Sequence, residues 1–444
     1  MEKIFLVIFG ALACLCAIMN APGLFYFLSI TLLVWFLINR YCPQDDRKLI
    51  SRVFIIGIML KCAIAVIFYW SLIIRGEFYR SFVHAFSSFE WKAGVLFNDE
   101  FAYTMAGWEI KRFLAGEIIE KQLYFFMNGY LYWTALIYTL FGYVPLVIKL
   151  YNCLFSVIVA GLAYLIAREI FDRKVARIAC IFVAFSPSLL LWSVTNLKDI
   201  LNLLCFSVMF WGVIKFLNEA RFKWFLILLL SAGMAISIRK DMTYLIAAFL
   251  IIITIAYLAK TRFFLSRFRK VIFLFLLFGL FCFALIVKGK TVEAQYDKFT
   301  YQFIHKQRGN ISMGGHVYRI YPSEYYNNPG KKMSIVELSK SFVRGTINFF
   351  LSPFPWETLT LMELIYYPQV LIGYFFIPFT ALGVLAGARN NNKARILLLF
   401  IILISLPMVL TDANVGTVVR HRDLIFPFMY IFTAAGLQRV CGRK

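Results

Sequence analysis

Asp99 and Glu100 stand side by side in "FNDEFAYTMAGWEI" (Phe97 to Ile110), after a long apolar run and before a stretch dense in aromatics. Polar residues interrupt apolar sequence at three further places: "NLKD" (Asn196 to Asp199), "IRKDMTY" (Ile238 to Tyr244) and "DANVGTVVRHRD" (Asp412 to Asp423). A carboxylate can take a proton from a hydroxyl as that hydroxyl attacks an electrophilic carbon. Arg, Lys and His can stabilise charge that builds on a departing phosphate, and the planar Arg fork suits phosphate oxygens best. A sugar joined to a lipid phosphate needs both kinds of group. The candidate acid–base residues are therefore Asp99, Glu100 and Asp199, and the candidate substrate-binding residues are Arg239, Lys240, Arg420, His421 and Arg422. Each has a plainer reading beside it. Asp99 and Asp199 can cap helices, Glu100 can be a first-turn charge, and Arg239, Lys240 and Asp241 can pair among themselves. His305 and His316 read as loop residues, and "PFPWE" (Pro353 to Glu357) as a membrane-surface turn with an aromatic anchor.

These groups act together only if the chain gathers them. Apolar residues make up 61% of the sequence and charged residues 16%, against about 25% charge in a soluble domain. Many windows exceed the ~18 apolar residues that a helix needs to cross a bilayer. The apolar runs are continuous, not alternating, which excludes a β-barrel. The fold class is therefore all-α: a polytopic transmembrane helical bundle with outward-facing loops and interfacial helices. About twelve spans are expected, near 3–19, 22–39, 52–74, 144–167, 176–196, 199–217, 224–238, 242–260, 271–287, 364–388, 396–411 and 424–438. "YLYWTALIYTLFG" (Tyr130 to Gly142) is too short to join them and reads as an interfacial helix.

Charge sets the orientation. Lys and Arg exceed Asp and Glu by 46 to 23, giving +23. The excess lies in short clusters between spans, at 40–52, 168–177, 215–223, 260–270, 389–395 and the C-terminal tail, which is how orientation signals look and not how a nucleic-acid surface looks. With these inside, both termini are cytoplasmic. Segments 75–143 and 288–363, and the turns near 197–199, 239–241 and 412–423, then face outward. Every candidate site residue falls on that one face. The nine cysteines lie mostly in apolar runs without metal-site spacing and read as small core residues. The apolar N-terminal run to Met19 reads as a retained helix, since no clear small-residue cleavage site follows it.

The order of these motifs resembles the GT-C superfamily of polytopic glycosyltransferases, in particular its protein-mannosyltransferase-like (glycosyltransferase family 39-like) and lipid A aminoarabinose-transferase-like members. The resemblance runs from about Ser51 to the C-terminus. It is carried by "NDEFAYTMAG", "GYVPLVIKLYNCLFSVIVAGLAYLIAREIFDRKVARIA", "FSPSLLLWSVTNLKD" and "NVGTVVRHRDLIFPF". It implies a GT-C-like core at 51–287, two additional N-terminal helices and a basic loop at 1–50, a long outer-face region at 288–363 that matches no family signature, and closing helices at 364–444. It implies that Asp99 is the catalytic base, with Glu100 adjacent and Asp199 as a second acidic position. The expected enzyme is an inverting glycosyltransferase of the cytoplasmic (inner) membrane, with its site on the outer face. Its expected partners are a polyprenyl-phosphate sugar donor, a lipid-linked, glycan or protein acceptor, and membrane lipids. No cofactor is expected. Asp99, Glu100 and Asp199 could offer oxygen ligands to a divalent ion, as oligosaccharyltransferase-like relatives do, but the expectation is no metal. The rival readings are an O-antigen-like polysaccharide polymerase or ligase, and a lipid or solute transporter, although the chain shows no internal repeat.

Overall fold

The computed structural model describes residues 2–18, 21–74, 98–118, 128–260, 292–312, 316–357 and 363–442. Among them the chain is helical, with no strand and one isolated bridge between Val317 and Asn414. The helices are α1 (Glu2–Ile18), α2 (Pro22–Tyr41), α3 (Gln44–Ile74), α4 (Asn98–Leu114), α5 (Gly129–Phe141), α6 (Pro145–Ile170), α7 (Arg173–Phe185), α8 (Pro187–Ser193), α9 (Lys198–Glu219), α10 (Phe222–Ile238), α11 (Thr243–Lys260), α12 (Val292–Ser312), α13 (Ser323–Asn327), α14 (Ile335–Leu351), α15 (Tyr367–Asn390), α16 (Asn392–Thr411), α17 (Val415–Arg422) and α18 (Phe426–Cys441).

Among the described residues, six helical stretches are long and apolar enough to cross a membrane: Pro22–Tyr41, Gln44–Ser71, Pro145–Ile170, Lys198–Glu219, Leu364–Asn390 and Asn392–Thr411. Two bent pairs, α7 with α8 at 51° and α17 with α18 at 62°, bring the total to eight if each pair counts as one span. The chain is thus a multi-pass helical membrane protein, with fewer described spans than the twelve expected. The expected span 271–287 lies outside the described residues. The expected span 176–196 is broken because Pro187 cannot continue the hydrogen-bond ladder of α7 and starts a new helix instead. The expected loop 40–52 is almost wholly helix, since α2 runs to Tyr41 and α3 begins at Gln44, and the boundary drawn at 50/51 falls inside α3.

α6 and α9 form the centre, with 78% and 72% of their spanning windows buried, whereas the Leu364–Asn390 span, with 17%, lines the outside. Apolar side chains all round suit the first pair, because both must meet other helices on every side. α15 still docks tightly on α18: a Cβ built at Gly383 would lie 1.8 Å from the Phe432 carbonyl oxygen. Small residues of this kind let helix backbones approach in a membrane.

The described basic clusters, at 40–52, 168–177, 215–223 and 389–395, meet at one end of the bundle; residues 261–270 of the expected cluster at 260–270 lie outside the described residues. Lys215 Nζ lies 2.5 Å from Glu169 Oε1, Lys393 Nζ donates to the Glu169 carbonyl, and Asn391 Nδ2 donates to the Ile170 carbonyl. At the same end Arg173 and Arg177 close on Asp46, and Gln438 donates to Asp172. The interruptions quoted first in the sequence sit at the opposite end.

α5 is 13 residues long, about 20 Å at 1.5 Å per residue, too short to span. Asn128 caps it by accepting from the Tyr130 and Leu131 amides. Tyr130, Thr134 and Tyr138 face inward, and Tyr132, Leu136 and Leu140 face outward. α4 lies directly against it. A Cβ at Gly107 would meet Thr134 Cγ2 at 2.3 Å, so only glycine allows that approach. Because α4 carries Asp99 in its first turn, this contact fixes where Asp99 stands.

Candidate active site

Four separate segments bring charged side chains to one place: the first turn of α4, the first turn of α9, the turn after α10, and the segment from Asp412 through α17. Both Asp99 and Asp199 lie in first turns, where the positive end of the helix dipole favours a carboxylate.

The side chains form a continuous ionic chain. Arg420 NH1 donates to Asp99 Oδ2 at 2.5 Å, and Arg420 Nε lies 3.2 Å from Asp199 Oδ2. Arg239 NH2 donates to Asp199 Oδ1 at 2.6 Å. Arg239 NH1 lies 3.0 Å from His421 Nε2, and His421 Nδ1 lies 2.8 Å from Asp412 Oδ2. Only the Asp99 end is open: its side chain is 49% exposed, against 3% for Asp199. Asp99 can therefore meet a substrate hydroxyl, while Asp199 is enclosed between two guanidinium groups. Beside the open end, Lys198 Nζ sits 5.7 Å from the centre of the Tyr103 ring and makes no ion pair among the described residues. Burial pushes the Tyr103 hydroxyl up to about 12, so the ring stays neutral under the lysine.

A second polar network lies behind the first. Glu100 is fully buried; its Oε1 lies 2.6 Å from Lys149 Nζ and accepts from the Asn196 amide at 2.8 Å. Asn196 Nδ2 donates to Thr104 Oγ1, and the Tyr130 hydroxyl donates to Asn196 Oδ1 at 2.6 Å. Asn152 Nδ2 donates to the Thr195 carbonyl at 2.7 Å. Together these bonds hold residues 195–197, the run-in to α9, and so set the direction in which Lys198 and Asp199 leave it.

The eight expected site residues thus divide. Asp99, Asp199, Arg239, Arg420 and His421 come together. Glu100 turns away into the buried network, about 100° round the helix from Asp99. Arg422 turns away too: its NH1 donates to the Ser352 carbonyl at 2.7 Å and the Phe350 carbonyl at 3.1 Å, and its guanidinium lies 5.2 Å from the Phe426 ring centre. Lys240 is exposed outside the cluster. The three consecutive residues 420, 421 and 422 point three ways because one helical residue turns about 100°.

Sequence reasoning passed over four contributors. Asp412 lay in a quoted segment but was not singled out. Lys198 precedes Asp199 directly. Lys149 is a lone cation early in a long apolar helix, and that isolation was the available signal. Asp423 accepts from Trp192 Nε1 at 2.6 Å, which ties α8 to the α17–α18 bend. The three acids offered as metal ligands are each engaged by cations, and among the described residues no three His, Cys, Asp or Glu side chains come together.

A family model described as dolichyl-phosphate-mannose-protein mannosyltransferase matches residues 129–287. That stretch includes α5, α6 and the "NLKD" turn, and it agrees with the GT-C resemblance of the sequence. A search of curated proteins found no match. Among solved structures the chain is similar to ArnT from Cupriavidus metallidurans in the apo state, at 17% identity and a TM-score of 0.44, covering 79% of this chain and 57% of that one. It is similar to the same protein bound to undecaprenyl phosphate, at 14% identity and 0.47, covering 86% and 60%. It is also similar to the Archaeoglobus fulgidus oligosaccharyltransferase in the apo form, at 15% identity and 0.45, covering 87% and 51%. The chain therefore spans between half and three-fifths of the length of each.

Proposed function

We propose that this chain is an inverting membrane glycosyltransferase of the GT-C kind. It moves a sugar from a polyprenyl-phosphate-linked donor to a lipid-linked, glycan or protein acceptor, at the outer face of the cytoplasmic membrane. The observation that carries this reading is the half-exposed Asp99 carboxylate at the open end of an otherwise enclosed ionic chain. The match of residues 129–287 to a mannosyltransferase family model supports it. So does the separation of the described basic clusters from the site at opposite ends of the bundle, the arrangement the positive-inside rule expects of an outward-facing site.

In this mechanism the acceptor oxygen attacks the anomeric carbon from the face opposite the phosphate. The O–H proton passes to Asp99, the new C–O bond forms, and the bond from the anomeric carbon to the phosphate oxygen breaks. The electron pair leaves on that oxygen, and the configuration at the sugar carbon inverts. Arg420 orients Asp99 and presents charge at the open end. Lys198 lies beside that end, over Tyr103, and among the described residues it forms no ion pair with a carboxylate, so we assign it the departing phosphate. Arg239 and His421 act behind them by holding Asp199 and Arg420 in place, not by touching the donor. No metal takes part in these steps.

The test is transfer by the purified full-length protein in lipid vesicles, supplied with a radiolabelled polyprenyl-phosphate sugar. The expected result is label in a lipid or glycan product, with one polyprenyl phosphate released per sugar moved. Uptake or flipping of the donor with no new glycosidic bond would overturn the reading in favour of a transporter.

A further inference from the structure

We propose that Asp412 is a positioning residue of this site: its carboxylate holds His421 in the tautomer whose bare Nε2 accepts from Arg239, and Arg239 in turn fixes Asp199. This rests on the proposed function for its kinetic consequence, but not for its geometry.

Donor and acceptor rules leave one arrangement. A guanidinium has N–H donors and no acceptor. Arg239 NH1 faces His421 Nε2 at 3.0 Å, so Nε2 must carry the lone pair. The proton of the neutral ring then sits on Nδ1, and the Asp412 Oδ2 at 2.8 Å accepts it. A carboxylate that fixes an imidazole tautomer through one nitrogen decides what the other nitrogen can do. The charged groups around His421 are Asp412, Arg239, Arg420, Lys198 and Lys306. Burial pushes the Asp412 carboxyl up, Arg239 and Arg420 oppose that, and Asp241 adds to it; ionised or neutral, the carboxyl keeps an oxygen that accepts the Nδ1 proton. Burial, and then four cations near one imidazole, disfavour its protonation, and the adjacent Asp412 carboxyl oxygen selects Nδ1–H.

The long outer insertion explains why Asp412 can serve this role. Asn310 Nδ2 donates to the Thr411 carbonyl at 2.8 Å, and the Tyr321 hydroxyl to the Leu410 carbonyl at 2.8 Å. The Tyr318 amide donates to the Ala413 carbonyl at 2.7 Å, and the Val415 amide to the His316 carbonyl at 3.0 Å. Residues 410–415 are thus tied at four points by Asn310, His316, Tyr318 and Tyr321. That region, without a family signature, is the clamp that holds the Asp412 backbone.

The test uses full-length protein labelled with 15N-histidine, which carries only four histidines in all. The His421 signals, identified by their loss in His421→Gln, should show a neutral ring with Nδ1 protonated and Nε2 bare. Asp412→Ala should abolish that state. An imidazolium or an Nε2–H ring in the wild type overturns the proposal, and so does an unchanged tautomer in Asp412→Ala. Where Asp412→Ala does not fold, the wild-type tautomer alone decides. The kinetic arm is a double-mutant cycle. Asp412→Asn should lower kcat by about 10²-fold through misplacement of the site, with the donor KM within twofold. Gln at 421 can place its own carbonyl oxygen opposite Arg239 without help from Asp412. Asp412→Asn should therefore cost little in the His421→Gln background, and equal losses in both backgrounds would show a merely structural role. Absence of transfer by the wild type would refute the proposed function and leave the tautomer measurement standing.

Discussion

Asp99 and Glu100 are neighbours in sequence, and one helical residue of rotation sends them into opposite environments. Asp99 is half exposed, pairs with Arg420 at 2.5 Å and stands at the open end of a chain of charges. Glu100 is wholly buried, meets Lys149 at 2.6 Å and accepts a backbone amide. The first arrangement keeps lone pairs free for a substrate. The second satisfies its carboxylate inside the protein, where a lone charge would be costly. Two acids of the same chemistry thus divide into one that can act and one that holds the frame in which the other acts.

Replacing Asp199 should break this division most severely. Asp199→Asn leaves Arg239 and Arg420 facing each other without the anion between them, so both the frame and the site fail. The expected outcome is loss of transfer together with a fall in stability of more than ~3–5 kcal/mol, read by thermal unfolding in detergent. Glu100→Gln should cost about 3–5 kcal/mol by leaving the Lys149 ammonium buried without its counterion. The double variant Glu100→Gln with Lys149→Met should recover most of that loss. Turnover per folded molecule should stay within a few-fold, which separates frame from chemistry. Lys198→Met should raise the donor KM about tenfold, the equivalent of one lost charge-assisted contact of about 1.4 kcal/mol, with kcat changed less. Lys240→Ala, at an exposed position outside the cluster, should change stability and transfer by no more than about 0.5 kcal/mol.

The sequence carried the class of fold, and with it the sorting of charge between two ends, because composition and loop charge report directly on burial in a membrane. The candidate site was legible as a set of segments. "NDE", "NLKD", "IRKD" and "RHRD" do meet, with five of the eight named side chains in contact. What the sequence could not show was direction. Nothing in "RHRD" says that Arg420 turns to Asp99, His421 to Asp412 and Arg422 to the carbonyls at the end of α14, since that depends on where α17 docks. Pro187 signalled a break that the apolar run around it concealed. Lys149 and Asp412 were visible but unweighted, because a buried ion pair needs both partners placed before either has meaning.

The most direct test is Asp99→Asn in full-length protein reconstituted in vesicles, measured for kcat with a polyprenyl-phosphate sugar beside its thermal midpoint. The account predicts a folded protein that still binds donor, with kcat lowered by about 10²–10⁴-fold. Transfer at the wild-type rate by a folded Asp99→Asn protein would contradict it.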